Sequence, residues 1–263
     1  RPGYDLTGLF VGSEGTLGVA TKAIVKLMRD AESIRTLLAI FEEMDQATKA
    51  VSSIIANGIV PAALEMVDST TIRAVQSVID AGYPNDAGAV LLVELEGLTE
   101  EVEEVSEEVQ ASLWETGAVD VRMAEEATER ERLWVGRKSA FGAFGAIAPN
   151  YYLVDGVVPR SRLLDILRKV GEIGQDLGLP IANVFHAGDG NLHPCILFDE
   201  RELDTIHRVL EAGGQILKAC VDAGGTLTGE HGVGLEKKEY MPLIFSNADM
   251  GAMRKLRNGF APS

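Results

Sequence analysis

Cysteine is scarce, with only Cys195 and Cys220 in 263 residues. Two thiols make no disulfide framework, so a small disulfide-stapled fold is excluded and a reducing, cytoplasmic setting is expected. Basic residues are short as well, 24 Lys and Arg against 40 Asp and Glu, for a net charge of −16. Phosphate contact needs a Lys/Arg surplus, which argues against nucleic acid as a partner. No apolar run reaches the roughly 18 residues of a membrane span. The opening Arg1-Pro2-Gly3-Tyr4-Asp5 lacks both the form of a signal peptide and an initiator Met, and reads as the start of a processed or excised piece. No dinucleotide-binding glycine fingerprint follows the first expected strand, so nothing favours a nucleotide-binding parallel sheet. What remains is ordinary globular material, 46% hydrophobic and 24% charged, in a chain long enough to bury a core unaided.

Apolar runs alternate with amphipathic stretches. Strands are expected at Ile34 to Phe41, Pro61 to Asp68, Ala89 to Glu96, Val119 to Met123 and Tyr151 to Pro159, with another at Ile181 to Phe198 interrupted by Gly188-Asp189-Gly190-Asn191. Helices are expected at Glu42 to Asn57, from a cap at Ser69 or Thr70 to Gly82, from Thr99, before Gly142 to Gly145, and at Ser161 to Leu177 and Leu203 to Ala223. In the Thr99 helix Val102, Val105, Val109 and Leu113 form one stripe, and Glu101, Glu103, Glu104, Glu107 and Glu108 a solvated face. This alternation allows a parallel α/β sheet or an antiparallel α+β sheet with helices on one face, and periodicity does not choose. The front of the chain is irregular, with four glycines in Gly8 to Gly18.

Three of the four histidines sit in Gly, Asp and Asn-rich surroundings. Along a straight strand His186 and His193, seven apart, would face opposite ways, but the Gly-Asp-Gly-Asn interruption must bend the chain and can bring both imidazoles to one point. Gly229-Glu230-His231-Gly232-Val233-Gly234 sets a carboxylate and an imidazole on backbone that permits close approach. His186, His193 and Glu230 form a candidate two-His, one-carboxylate set for a catalytic divalent ion, zinc first and manganese or iron(II) next. His231 would then be free for proton transfer. The competing reading makes these turn histidines bonded to backbone. His207 reads as a surface residue and Cys195 as a buried structural thiol. Arg137 is the side-chain type that grips a carboxylate, with a salt bridge to Glu129 or Glu131 as the alternative.

The segments H-A-G-D-G-N-L-H-P (186–194), G-E-H-G-V-G (229–234) and G-Y-D-L-T-G-L-F-V-G-S-E-G-T-L-G (3–18) resemble the FAD-linked oxidases of the vanillyl-alcohol-oxidase type, nearest to members acting on glycolate and D-lactate. Trp134 to Lys138, Pro149 to Tyr152 and Asp155 to Arg160 extend the likeness over essentially the whole chain. The resemblance implies that 1–27 is the last stretch of an FAD-binding domain and 28–263 an antiparallel α+β, ferredoxin-like substrate (cap) domain, with the chain cut inside family motifs at both ends. It implies FAD as cofactor, held in part by Gly12, Ser13, Glu14, Gly15, Thr16 and Gly18. It also implies His186, His193 and Glu230 as metal ligands, Arg137 and Asn191 as substrate contacts, and His231 as base. Leu153 stands where dicarboxylate-oxidising members carry a Lys, which favours a small monocarboxylate such as glycolate or D-lactate. Implied partners are the 2-hydroxy-acid substrate and second flavin-type and iron–sulfur subunits, with a peripheral place at the inner membrane through them. The chain alone is expected to be inactive and prone to self-association. A metal-dependent hydrolase and a non-catalytic, partner-binding cap are the rival classes.

Overall fold

The computed structural model describes residues 3–260. After a short helix α1 (Leu6–Phe10), the chain runs β1 (Ser33–Phe41), α2 (Met44–Ala56), β2 (Ala63–Asp68), α3 (Ser69–Val78), β3 (Ala89–Gly97), α4 (Thr99–Glu115), β4 (Asp120–Met123) and α5 (Ala127–Ala143). β1 and β3 pair antiparallel along their whole length, Ser33↔Gly97 to Phe41↔Ala89. β4 flanks β1, and β2 flanks β3. The order β4-β1-β3-β2 with α2 and α4 as crossovers is the ferredoxin-like βαββαβ pattern, with α3 inserted between β2 and β3.

The sheet differs from the expected one in being covered on both faces. Leu37, Ala39, Phe41, Leu91 and Val93 face one way, onto α2 and α4, while Leu38, Ile40, Val90 and Leu92 face the other, with Ile72 of α3 and Ala140 of α5. That explains why IRTLLAIF and AVLLVELE show so little polar alternation in an antiparallel sheet, a pattern more usual in parallel ones. α4 behaves as expected: Val102, Val109 and Leu113 are buried and its five named Glu residues are exposed. The cap of α3 is Asp68 rather than Ser69 or Thr70; its carboxylate accepts from Thr71 N at 2.8 Å.

The second half adds β5 (Asn150–Leu153), β6 (Gly156–Val157), α6 (Leu163–Leu177), β7 (Ile181–His186), β8 (Asn191–Leu192), β9 (Pro194–Phe198), α7 (Thr205–Asp222) and α8 (Asn247–Phe260). The expected interrupted strand is a hairpin: β7 turns through Ala187-Gly188-Asp189-Gly190 and returns as β8 and β9 in one unbroken register, His186↔Asn191 to Ile181↔Ile196. The expected strand Tyr151 to Pro159 is likewise two pieces, β5 against β9 and β6 against β8, also in one register. β7 pairs with β2 on its other edge, which joins both halves into one nine-stranded sheet among the described residues.

Candidate active site

The expected bend at the Gly-Asp-Gly-Asn interruption is a full hairpin reversal. Because the chain reverses at residues 187–190, His186 lies directly opposite Asn191, and His193 follows two residues later on the same face. The ring centroids of His186 and His193 are 5.2 Å apart. The β5–β6 register sets Asp155 opposite His193, with Asp155 Oδ1 3.6 Å from His193 Nε2. Glu65, on β2, is the cross-strand partner of His186. Four chemically active side chains thus meet where β2, β6, β7 and β8 end.

Glu230 and His231 come from the glycine-punctuated loop after α7, which hangs on Asp155. The fully buried Asp155 carboxylate accepts from Thr228 Oγ1 at 2.6 Å, Gly229 N at 3.1 Å and His231 N at 3.0 Å, and meets Lys237 Nζ at 3.1 Å. Burial alone would raise its pKa; His193, Thr228, the His231 N–H and Lys237 outweigh that and hold it well below the usual carboxylate range. So fixed, the loop brings Glu230 Oε1 to 3.3 Å from His193 Nε2, 3.6 Å from His186 Nε2 and 3.7 Å from His231 Nε2. The His231 ring stacks on His193 with centroids 5.1 Å apart. Ligand-type atoms of His186, His193 and Glu230 all lie within 4.8 Å of one another, as do those of Asp155, His193 and His231. Both ring nitrogens of the buried His193 lack a hydrogen-bond partner, as does Asn191 Oδ1. Unpartnered buried polar atoms are costly, so a group bound here would relieve an existing penalty.

Behind His186 stands a buried ion-pair chain. Glu65 Oε1 lies 2.6 Å from His186 Nδ1, and Glu65 Oε2 accepts from Arg137 Nε at 2.9 Å with Arg137 Nη2 at 2.8 Å. The bond to Glu65 raises the His186 pKa against the opposing effect of burial. It also fixes Nδ1 as the donor and turns Nε2 toward Glu230. An open cleft of about 340 Å³ is lined by Val157, His186, Asp189, Asn191, Gly229 and Glu230.

Residues 30–263 match the family described as FAD linked oxidases, C-terminal domain. The chain belongs to this family. It is 48% identical over 261 residues to the glycolate oxidase subunit GlcD of Escherichia coli (strain K12), covering 99% of this chain and 52% of that protein. To GlcD of Bacillus subtilis (strain 168) it is 41% identical over 260 residues, 99% and 55%. To the mitochondrial D-lactate dehydrogenase [cytochrome] of Arabidopsis thaliana it is 28% identical over 263 residues, 99% and 46%. The chain therefore spans about half the length of these curated relatives. Among solved structures, an alkyldihydroxyacetonephosphate synthase superposes with a TM-score of 0.64 at 14% identity over all of this chain and 50% of that one, a likeness of fold.

Within this FAD-linked oxidase domain the expected residues fall into three groups. His186, His193, Glu230 and His231 come together, and His186, Glu230 and Asn191 line one cleft. Arg137 departs from expectation: it is 6% exposed and paired with Glu65, not with Glu129 or Glu131. Glu65 occupies its Nε–Nη2 edge, since a buried guanidinium needs a counter-charge. Glu14, although exposed, accepts from Val233 N at 2.8 Å and Gly234 N at 2.9 Å through its carboxylate. Gly12 and Gly15, both at positive φ, have open space around them, and Thr16 Oγ1 donates to Ser13 O at 2.6 Å. His207 is exposed, and Cys195 and Cys220 are buried, the latter thiol pushed up to about 12 by burial. Sequence reasoning missed Glu65 and Lys237 and gave Asp155 no role. An acidic residue inside the apolar runs A-L-E-M-V-D and Y-L-V-D-G-V-V was the available signal.

Proposed function

We propose that this chain supplies the substrate side of a flavin-dependent 2-hydroxy-acid oxidoreductase that converts glycolate or D-lactate to the 2-oxo acid. The observation that carries the reading is the convergence of His186, His193, Glu230 and His231 beside a cleft that His186 and Glu230 line, with both His193 ring nitrogens unpartnered. A two-His, one-carboxylate donor set suits zinc, with manganese or iron(II) as alternatives, and His186, His193 and Glu230 would hold that ion. When bound, such an ion acidifies a coordinated hydroxyl and orients the substrate. FAD, when bound, supplies the acceptor for the hydride leaving the substrate Cα.

The chain's own residues do the remaining work. His231 takes the 2-hydroxyl proton at Nε2, the nitrogen that faces Glu230. The substrate loses that proton and a hydride, and a 2-oxo acid results. Asn191, at the cleft wall with an unpartnered amide oxygen, binds the substrate. Arg137 acts chiefly through Glu65, holding the carboxylate that orients His186. Leu153 offers no charge for a second carboxylate, which keeps the preference for a small monocarboxylate. Residues 1–27 belong on this reading to the flavin domain, with Gly12, Ser13, Gly15, Thr16 and Gly18 lining the cofactor. The word "subunit" in the names of the GlcD relatives supports work beside other subunits, which the motif resemblance would make flavin-type and iron–sulfur ones.

The test uses flavin-loaded full-length protein with glycolate, D-lactate, D-2-hydroxyglutarate and a simple ester, alongside elemental analysis. Oxidation of the two monocarboxylates with about one equivalent of divalent metal supports the reading. Ester hydrolysis without oxidation would make the site a hydrolase; no turnover and no metal would leave a structural cap. Replacing His231 with Asn should retain flavin and metal while turnover collapses by roughly 10²–10⁴-fold. Near-normal turnover would remove His231 from the base role.

A further inference from the structure

The loop 228–234 carries Glu230 and His231 and has two anchors. Asp155 takes its beginning from the sheet side through Thr228, Gly229 and His231. Glu14 takes its end, each carboxylate oxygen receiving one of the successive N–H groups of Val233 and Gly234. The fit is close on both sides. Gly232 has φ +86° and Gly234 φ +52°, a turn whose N–H groups converge into an anion-binding concavity. A Cβ on Gly232 would stand 2.8 Å from Glu14 Cδ, so an alanine there, already disfavoured at this positive φ, would push the carboxylate from its place. Glu14 itself has φ +50°, a left-handed conformation unfavourable for a non-glycine residue and held where surrounding contacts require it. A Cβ added at Gly12 or Gly15 would meet nothing within 4 Å. In the S-E-G-T segment Ser13 and Thr16 bond within the segment, whereas the glutamate side chain reaches out of it to the loop of His231.

We infer that Glu14 is a positioning residue: its carboxylate clamps Val233 and Gly234 and thereby fixes His231 and Glu230, coupling the N-terminal glycine loop to the substrate-side loop. This rests on the reading of His231 and Glu230 given above, but the clamp itself is measurable without any reaction. Glu14 is then not a ligand of the cofactor, although it lies in the segment expected to hold it.

The experiment compares flavin-loaded full-length protein with its Glu14→Ala, Glu14→Gln, Gly232→Ala and Glu14→Ala/Gly232→Ala variants by amide hydrogen exchange, flavin content and steady-state kinetics. Glu14→Ala should speed exchange at Val233, Gly234 and His231 roughly tenfold or more, because a local opening loses its restraint. Flavin content should stay at the wild-type level, and kcat should fall with KM little changed. Glu14→Gln, which keeps one acceptor oxygen, should lie between. Gly232→Ala should reproduce the exchange pattern and add little in the double variant, as expected of two residues in one contact. Flavin loss in Glu14→Ala with unchanged exchange at 233–234 would make Glu14 a cofactor ligand and overturn the clamp. Unchanged exchange with normal flavin overturns it as well. Faster exchange in a protein that oxidises no 2-hydroxy acid would uphold the clamp and refute the proposed activity.

Discussion

Glu65 is the residue on which the site's electrostatics turn. It is 6% exposed and lies between a guanidinium and an imidazole. Removing one partner of a buried ion pair is worse than lacking the pair, since the survivor keeps its desolvation cost. Glu65→Ala should destabilise the fold by about 3–5 kcal/mol, read by chemical denaturation. The milder Glu65→Gln should fold and weaken divalent-metal binding roughly 10–100-fold in a calorimetric titration, as loss of a ligand-orienting carboxylate does. Undiminished metal binding in Glu65→Gln would remove Glu65 from that role. Asp155 permits a prediction with a definite pH sign. Its folded pKa is depressed, so the native state favours its charged form, and the stability it contributes is present above the ordinary carboxylate value of about 3.9. That stability is lost progressively as pH falls below this value. Asp155→Asn should be markedly less stable at neutral pH, and its deficit against wild type should shrink in acid. A deficit independent of pH would show that Asp155 acts only by shape.

At the scale of elements, the β7–β8 hairpin positions the site, and one turn residue controls it. Gly190 has φ +70°, and a Cβ there would stand 2.2 Å from Val158 O. Gly190→Ala forces both a strained backbone and a displaced β6 end, two of the mechanisms behind large destabilisations. Its melting temperature should drop by several degrees, and the His186–Asn191 pairing should be lost together with metal binding; an unaltered melting temperature would refute the argument. The same hairpin marks how far the sequence could be read. The positions and kinds of most elements were legible, because runs such as A-V-L-L-V-E-L-E and the valine stripe of α4 carry their burial in their periodicity. That the interruption at 188–191 reverses the chain was not legible, since a glycine-rich segment permits a bend, a bulge or a turn equally. The convergence of His186, His193, Glu230 and His231 could be proposed from motifs. The Glu65–Arg137 pair could not, since it joins residues 72 apart through the packing of helix α5 against strand β2, which no local pattern reveals. Arg137 was accordingly expected to be open to substrate, when its counter-charge sits on a neighbouring strand.

At the scale of the whole molecule, burial is uneven. The sheet carries a dense core on both faces, yet Tyr4, Val19, Ile24, Val25, Leu27 and Met28 stand in solvent before β1, and Leu235 after the site loop. Helix α8 has no buried residue, and Met253, Leu256 and Phe260 are exposed along it. Apolar side chains left in water favour association, whereas the net charge of −16 opposes it by mutual repulsion. Salt decides between them, because the Debye length shrinks from roughly 10 Å at 0.1 M ionic strength to about 3 Å at 1 M while apolar attraction is not screened. The 263-residue chain by itself should therefore shift from monomer toward higher-mass species in sedimentation velocity as salt rises. Leu235→Ser with Leu256→Ser should hold it monomeric at the same salt. A chain that stays monomeric at both salt extremes would mean that these side chains are too dispersed to form a sticking surface. No helix among the described residues is long and apolar enough to cross a membrane. The concentration dependence at high salt distinguishes a specific contact, which saturates at a defined stoichiometry, from open-ended aggregation, which does not.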